Sequence, residues 1–138
     1  MRKSFLLLAS IMMLSLIGCS KDEVSKFDYD INLIVGKWRV THIPNKDGSY
    51  LDVTTHIAES VFKPTYITFT ADGKYSGVGQ FGEGKGTYKT KGKVITTYLD
   101  GVEKYLSFEI ISLSNTNCEA KIFDDSLPEG FTVKCRKE

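Results

Sequence analysis

The sequence predicts an all-β fold: a small up-and-down antiparallel barrel of about eight strands, with one short helix between the first strand and the rest. Short segments of alternating apolar and polar residues recur along the chain, and this is the two-residue period of a strand. Turn-forming pairs such as Asp72-Gly73 and Asp100-Gly101 separate the segments, as in β-hairpins. Closing such strands into a barrel removes the exposed sheet edges.

The first eighteen residues have the form of a secretory signal. Arg2 and Lys3 precede an apolar run that ends at Gly18, and a positive start, an apolar stretch and a small residue are typical of such a signal. The run is shorter than the ~20 apolar residues that a helix needs to cross a bilayer. We therefore expect residues 1–18 to be removed and the mature chain to have no transmembrane helix.

The residues around the expected cleavage point carry a more specific pattern. Leu16-Ile17-Gly18-Cys19 resembles the lipobox of bacterial lipoproteins, which implies cleavage before Cys19 and a lipid on its thiol. The alternative is a plain signal peptide with a chance cysteine. Ser20-Lys21-Asp22-Glu23 resembles the export signal that sends Bacteroidetes lipoproteins to the cell surface, although a charged, solvated tether would look the same. The resemblance implies an outer-membrane lipoprotein at the cell surface, held to the membrane by its lipid.

These boundaries divide the chain into a signal peptide (1–18), an acylated polar tether (19–32) and a barrel domain (33–138). Loss of Arg2 and Lys3 leaves 16 basic against 17 acidic residues, a net charge of −1. A near-neutral domain lacks the basic face that nucleic-acid binding requires. About one hundred residues suit a single domain, and we expect a monomer without a nucleic-acid partner.

The predicted domain begins with a strand and then a helical segment. Trp38 and Val40 share one face of the strand. Residues 54–62 have helical spacing, with Thr54 or Thr55 as the cap and a proline after Lys63 as the stop. Two apolar pairs four residues apart form the expected buried face: Ile57 with Val61, and Ala58 with Phe62.

The central strands are joined by tight turns that set their register. A loop of two or three residues at Asp72-Gly73 leaves open whether Phe69 faces Ser76 or Tyr75. A turn at Lys91-Gly92 places Tyr88 opposite Ile95, and the turn at Asp100-Gly101 places Ile95 opposite Leu106. A slip of one residue would invert the faces. The two turns together put these residues inside: Tyr88, Ile95, Leu106, Phe108 and Ile110. They put these outside: Tyr98, Glu103 and Tyr105.

The last hairpin suggests a disulfide. A loop at 125–128 places Cys118 opposite Cys135 on the apolar face and Glu119 opposite Lys134 on the polar face. Opposed strand residues have Cα atoms ~4.5–5.5 Å apart, within the range that a disulfide bridges. In an oxidising compartment we expect Cys118 and Cys135 to form this bond. The alternative is a pair of buried free thiols.

Three short motifs resemble the lipocalin-like domains common in Bacteroidetes lipoproteins. Gly36-Lys37-Trp38 has the Gly-x-Trp form of the first lipocalin strand, and Phe69-x-x-Asp72-Gly73-x-Tyr75 and Gly86-Thr87-Tyr88 follow it. The resemblance covers roughly residues 33–136. It implies that Gly36 and Trp38 are structural residues at the base of the barrel and that Arg136 covers Trp38. It also implies that the segment before Tyr66 is a lid over the mouth, or a helix that plugs the open end.

The resemblance and the inward aromatics predict a non-enzymatic binding module. A small apolar or glycan-like ligand would lie in a mouth lined by residues such as Tyr75, Tyr88 and Phe108, with His42 close enough to reach the cavity or merely at the rim. The alternative is a filled barrel whose loops or outer tyrosines dock a protein, as an interaction or inhibitor module. No catalytic residue, cofactor or metal site is predicted, because neither histidine has a Cys, Asp or Glu at ligand spacing.

Overall fold

The computed structural model describes residues 26–100 and 103–138. The predicted signal peptide, Cys19 and the turn residue Gly101 lie outside these ranges. The described residues contain nine strands and two one-turn helices: α1 (Ile31–Ile34), β1 (Gly36–Pro44), β2 (Tyr50–Asp52), α2 (His56–Glu59), β3 (Tyr66–Phe69), β4 (Lys74–Val78), β5 (Gly84–Lys91), β6 (Val94–Leu99), β7 (Glu103–Leu113), β8 (Asn117–Phe123) and β9 (Phe131–Lys137). None of their helices is long and apolar enough to span a membrane.

The strands form a closed antiparallel barrel. Strand β1 pairs with β3, each later strand pairs with the one before it, and β9 returns to pair with β1. Strand β2 is a short ninth strand beside the C-terminal part of β1, where His42 lies opposite Asp52. The prediction of an all-β, up-and-down barrel of about eight strands is therefore confirmed.

The two ends of β1 define the two ends of the barrel. The closed end is the Gly36 end, which α1 and the β5–β6 turn also occupy. The mouth is the Pro44 end, where β2, the segment 53–65 and the β4–β5 and β8–β9 turns lie. The two ends of the barrel are therefore lined by different loops and turns.

The core confirms most of the predicted inner face, although the register of two pairings differs. Tyr88, Ile95, Phe108 and Ile110 are buried. Tyr88 lies opposite Thr97 rather than Ile95, because the turn is at Gly92-Lys93 and not one residue earlier. Ile95 lies opposite Phe108 rather than Leu106. A displacement of two residues keeps every side chain on its predicted face.

A β-bulge moves one residue that was predicted to lie outside. The pairing of β6 with β7 shifts between Thr96 and Tyr98, so Ser107 and its neighbour Phe108 are both buried. Tyr105 consequently packs against the core, and the prediction that it faces outward is wrong. An extra residue in one strand reverses the alternation on one side of the bulge, and the sequence carries no clear signal for it.

The hairpins on either side of the central strands agree better with the sequence. Phe69 lies opposite Tyr75, so the open choice at Asp72-Gly73 is resolved in favour of the three-residue loop. In the last hairpin Cys118 lies opposite Cys135 and Glu119 opposite Lys134, which confirms the predicted register.

The helical segment before β3 is shorter than predicted, and two of the side chains predicted to be buried are exposed. Helix α2 covers one turn, and the Thr55 side chain accepts a hydrogen bond from the backbone N–H of Ala58, as predicted for the cap. Ala58 is buried, whereas Ile57 is 81% and Val61 71% exposed. The prediction that Ile57 and Val61 share the buried face is therefore wrong, because a single turn buries only one narrow side.

The chain contacts the barrel before residue 33. Phe27 forms a β-bridge with Gly92, and the Gly92 N–H donates to the Lys26 carbonyl over 2.8 Å. Phe27 and Tyr29 pack against the core. Asp30 is the N-cap residue of helix α1, and its carboxylate accepts a hydrogen bond from the Asn32 backbone N–H. The division into tether and domain stays a prediction, and the residues from 26 onward contribute to the closed end.

Candidate ligand-binding site

The closed end is built around Trp38. Its indole N–H donates a hydrogen bond to the Ile34 carbonyl over 2.9 Å. The Lys137 ammonium lies 5.0 Å from the centre of the indole ring and donates to the Leu33 carbonyl over 2.9 Å. Gly36 has φ +136°, a backbone conformation that side-chain-bearing residues rarely adopt, so glycine suits this position.

Lys137, and not Arg136, is the cation over Trp38. Arg136 is exposed on the outer side of β9, opposite Arg39, with its Nε 3.9 Å from the Glu138 carboxylate. Strand alternation could have shown this from the sequence: Cys135 faces the core, so residue 137 shares its face and residue 136 does not.

The middle of the barrel is filled. It contains a cavity of about 40 Å³ with an apolar lining that includes Trp38, Phe69 and Phe108. Pockets for small molecules typically measure ~300–1,000 Å³, so this cavity is too small for such a ligand. A lining without polar groups also disfavours water.

The three aromatic residues predicted to line a ligand site belong to this packed interior. Tyr75, Tyr88 and Phe108 are all buried. The Tyr75 hydroxyl donates to the Gly82 carbonyl, and the Tyr88 hydroxyl donates to the Thr70 carbonyl over 2.6 Å. Burial raises the pKa of both phenols. The structure thus gives these side chains structural contacts and leaves no ligand-sized space beside them.

His42 lies on the outer side of the barrel. The pairing of β1 with β9 shifts between Val40 and His42, so the buried Thr41 interrupts the alternation and Ile43 takes the inner face. The His42 Nδ1 is 2.8 Å from the Thr41 hydroxyl oxygen. Of the two positions expected for His42, the structure therefore excludes the one that reaches the cavity, because a bulge reverses the alternation here as it does at Tyr105.

A larger, open pocket lies at the mouth; it is called the mouth pocket below. Its volume is about 360 Å³, and its lining is mostly apolar. The rings of Phe81 and Phe131 pack edge to face with centroids 5.7 Å apart on its wall, and the buried Val40 contributes from the barrel interior. The lining residues are Val40, Ile43, Pro44, Val53, Phe62, Lys63, Thr65, Gln80, Phe81 and Phe131.

The polar residues of the mouth pocket are linked to one another. The backbone N–H of Gln80 donates to the Thr65 hydroxyl over 3.0 Å, and the backbone N–H of Lys63 donates to the Gln80 side-chain oxygen over 3.3 Å. Thr65 is buried, whereas Lys63 and Gln80 are exposed. The segment before β3 and the β4–β5 turn are thereby joined across one side of the pocket.

The predicted disulfide positions also face the interior. Cys118 and Cys135 are directly opposed and both line the central cavity, and the structure describes each as a free thiol. Burial raises the pKa of Cys118 from 9.0 to about 12 and raises that of Cys135 as well. Within the described ranges, no group of His, Cys, Asp and Glu side chains could hold a metal ion.

A closed eight-stranded barrel with a Gly-x-Trp base and an open apolar mouth defines a small lipocalin-like protein. Comparison with protein families places the lipocalin-like domain on residues 34–117, more than half of the chain, and the protein belongs to this family. Curated proteins gave no match. Among solved structures, a biogenic amine-binding protein is similar with 16% sequence identity and a TM-score of 0.37 over 85% of this chain and 70% of the other.

Proposed function

We propose that this protein is a non-enzymatic, lipid-anchored binding module of the outer membrane, exposed at the cell surface, that binds a small, largely apolar ligand in the mouth pocket. The observation that carries the proposal is the apolar pocket of about 360 Å³ at the open end of a barrel of the lipocalin-like family. Its volume lies in the range of small-molecule sites. The ligand contacts are then Ile43, Phe81 and Phe131 rather than the deeper tyrosines.

Binding of a neutral apolar fluorophore tests this proposal. Phenylnaphthylamine should bind the full chain, held in phosphatidylcholine nanodiscs, more strongly than the Val53→Trp variant, whose indole fills the pocket. Equilibrium dialysis with equal nanodisc concentrations on both sides cancels partition into lipid. Val78→Trp is the matched control, because Val78 is 53% exposed and does not line the pocket. Equal binding by wild type and Val53→Trp would contradict the proposal.

Two exposed apolar side chains favour a second candidate function. Ile57 and Val61 project from the segment that borders the mouth, although a buried position was expected for them. Adjacent exposed apolar side chains are typical of contact surfaces. A protein-interaction or inhibitor module would lose its partner on Ile57→Asp substitution and keep phenylnaphthylamine binding, which separates the two functions.

The cysteine chemistry completes the proposal. Cys19 would carry the lipid, and Cys118 and Cys135 would form a disulfide after export to an oxidising compartment. The opposed positions of the two barrel cysteines support the disulfide. All three cysteines then have a role, one in lipid attachment and two in the disulfide, which accounts for the odd number in an exported chain.

A further inference from the structure

The charged and amide groups at the rim of the mouth pocket restrict its ligand. Lys63 is the charged residue among the described lining residues. Its side chain is exposed and forms no ion pair with any other described residue. An ammonium group beside an apolar pocket, with no carboxylate already bound to it, favours an anionic group on whatever enters.

Gln80 adds a second donor, because its amide orientation is set by the backbone. A backbone N–H can only donate, so the atom that meets the Lys63 N–H at 3.3 Å must be the Gln80 oxygen. The backbone N–H of Gln80 is held by Thr65. The NH₂ of the Gln80 side chain therefore remains as a donor on a residue that lines the pocket. An oxyanion can accept hydrogen bonds from both groups.

The acidic groups of the segment before β3 are engaged elsewhere. The segment 50–65 contains two acidic residues, Asp52 and Glu59. The Asp52 carboxylate accepts hydrogen bonds from the backbone and hydroxyl of Thr54, and Glu59 forms an ion pair with Arg39. No carboxylate is found among the described lining residues, so an amine would enter the pocket without a counter-charge.

We infer that the ligand of the mouth pocket is a small anionic amphiphile: one to three rings, or a short chain, with a single carboxylate, sulfonate or phosphate held at the rim by Lys63 and Gln80. The inference rests on the proposed function and specifies its ligand class. The apolar part lies against Phe81 and Phe131, where burial of apolar area supplies most of the affinity. The volume of about 360 Å³ selects a free small molecule over a two-chain lipid.

A matched pair of fluorophores tests the inference. Anilinonaphthalene sulfonate resembles phenylnaphthylamine but carries a sulfonate, so the ratio of the two dissociation constants isolates the contribution of the anion. With the full chain in phosphatidylcholine nanodiscs, we expect Lys63→Gln to weaken sulfonate binding about three- to tenfold, as for a partly solvated ion pair with a charge-assisted hydrogen bond. The neutral probe should change less than about twofold by the same reasoning.

Two further variants and a salt series sharpen the result. Gln80→Glu keeps the oxygen that accepts from Lys63 but replaces the NH₂ donor by a negatively charged oxygen. Loss of the donor and charge repulsion should both weaken binding of the sulfonate and leave the neutral probe unchanged. Lys46→Gln removes a lysine at the same end of the barrel that does not line the pocket, and it should change neither probe. Added salt should weaken binding of the sulfonate and spare the neutral probe.

The outcomes distinguish this inference from the function on which it rests. If neither probe distinguishes wild type from Val53→Trp, the proposed function fails. If phenylnaphthylamine binds in the pocket but Lys63→Gln changes the two probes equally, the ligand-binding function stands and the anionic ligand class is rejected. Selective loss of the sulfonate in Lys63→Gln and Gln80→Glu supports the inference.

Discussion

At the scale of single residues, alternation along a strand predicts which way a side chain points better than it predicts what the side chain does. Tyr75, Tyr88 and Phe108 point inward as the pattern requires. Whether inward side chains line a ligand site or fill the space depends on the barrel radius and on summed side-chain volumes. Neither quantity can be read from the order of residues, so the candidate site was placed too deep.

The residues of the mouth pocket were missed for a related reason. Val53, Phe62, Phe81 and Phe131 lie in or next to loops, where strand periodicity carries no information. In the sequence, these four residues share one property: each is an apolar residue beside a turn. This pattern predicts a cluster of apolar residues on loops, but it does not predict which loops contact one another.

The contact between Lys137 and Trp38 gives a prediction at this scale. Lys137→Met should lower the free energy of unfolding by about 1–2 kcal/mol, because it removes a partly desolvated cation–π contact and the hydrogen bond to Leu33. Arg136→Met should change it by less than about 0.5 kcal/mol, as for a surface residue. Urea denaturation of both variants measures the difference. A larger loss for Arg136→Met would restore the arginine to the role that the lipocalin resemblance implies.

At the scale of elements, hairpin register could be predicted where two independent features agree. In β8 and β9 the loop, the cysteine pair and the Glu119–Lys134 pair all indicate one register, and the structure has that register. In β5 and β6 the turn alone set the register, and Lys91-Gly92 and Gly92-Lys93 are both reasonable turns. Gly92 has φ +59°, which suits the first position of the observed turn.

Bulges are the part of the elements that the sequence did not predict. The irregularities near Thr41 and Thr97 reversed the faces expected for His42 and Tyr105. A bulge stabilises curvature of a closed barrel, so its position depends on the whole sheet. Local alternation cannot supply that information.

The β8–β9 hairpin carries the prediction about the cysteines. Protein exported to an oxidising compartment should contain a Cys118–Cys135 disulfide, and its intact mass should rise by two alkyl groups only after reduction in denaturant. The bond should stabilise the fold by ~2–4 kcal/mol relative to the Cys118→Ser, Cys135→Ser double variant. Free thiols in freshly exported protein, alkylated without reduction, would contradict the disulfide.

Reduced and oxidised protein should also differ in their response to pH. The folded-state pKa of Cys118 is raised from 9.0 to about 12 by burial, so the unfolded chain releases this proton at a lower pH than the folded chain. The contribution of this thiol to the stability of the reduced form is therefore fully present below about pH 9 and is lost as pH rises toward 12. The oxidised form has no thiol to titrate. Thermal unfolding of both forms across this range isolates the effect, since the tyrosines are common to both.

At the scale of the whole molecule, the contact with the N-terminal residues and the mouth pocket lie at opposite ends of the barrel. The N-terminal residues reach the barrel at the closed end, through Phe27 and Gly92, and the mouth pocket opens at the other end. Six residues separate Cys19 from Lys26, which is at most ~25 Å of extended chain. Under the proposed anchoring, the closed end stays near the membrane and the mouth exchanges ligand with the surrounding medium.

The anchor itself gives the last prediction. Cells fed radiolabelled palmitate should label the wild-type chain and not the Cys19→Ser variant, and the variant should keep its unprocessed signal segment. Cys118→Ser is the matched control and should be labelled as strongly as wild type. Absence of label from the wild-type chain would leave a plain signal peptide as the explanation for the apolar N-terminus, and label retained in Cys19→Ser would place the lipid on another residue.

The bridge between Phe27 and Gly92 has a mechanical consequence. Under the proposed lipid anchoring, a pull on the N-terminus would first load the two hydrogen bonds of 2.8 Å that Gly92 makes with Lys26 and Asp28. These can break one after the other and release slack before tension reaches α1 and Trp38. Under this anchoring, a tensile load would therefore separate residues 26–28 from Gly92 before it deformed the mouth pocket at the other end of the barrel.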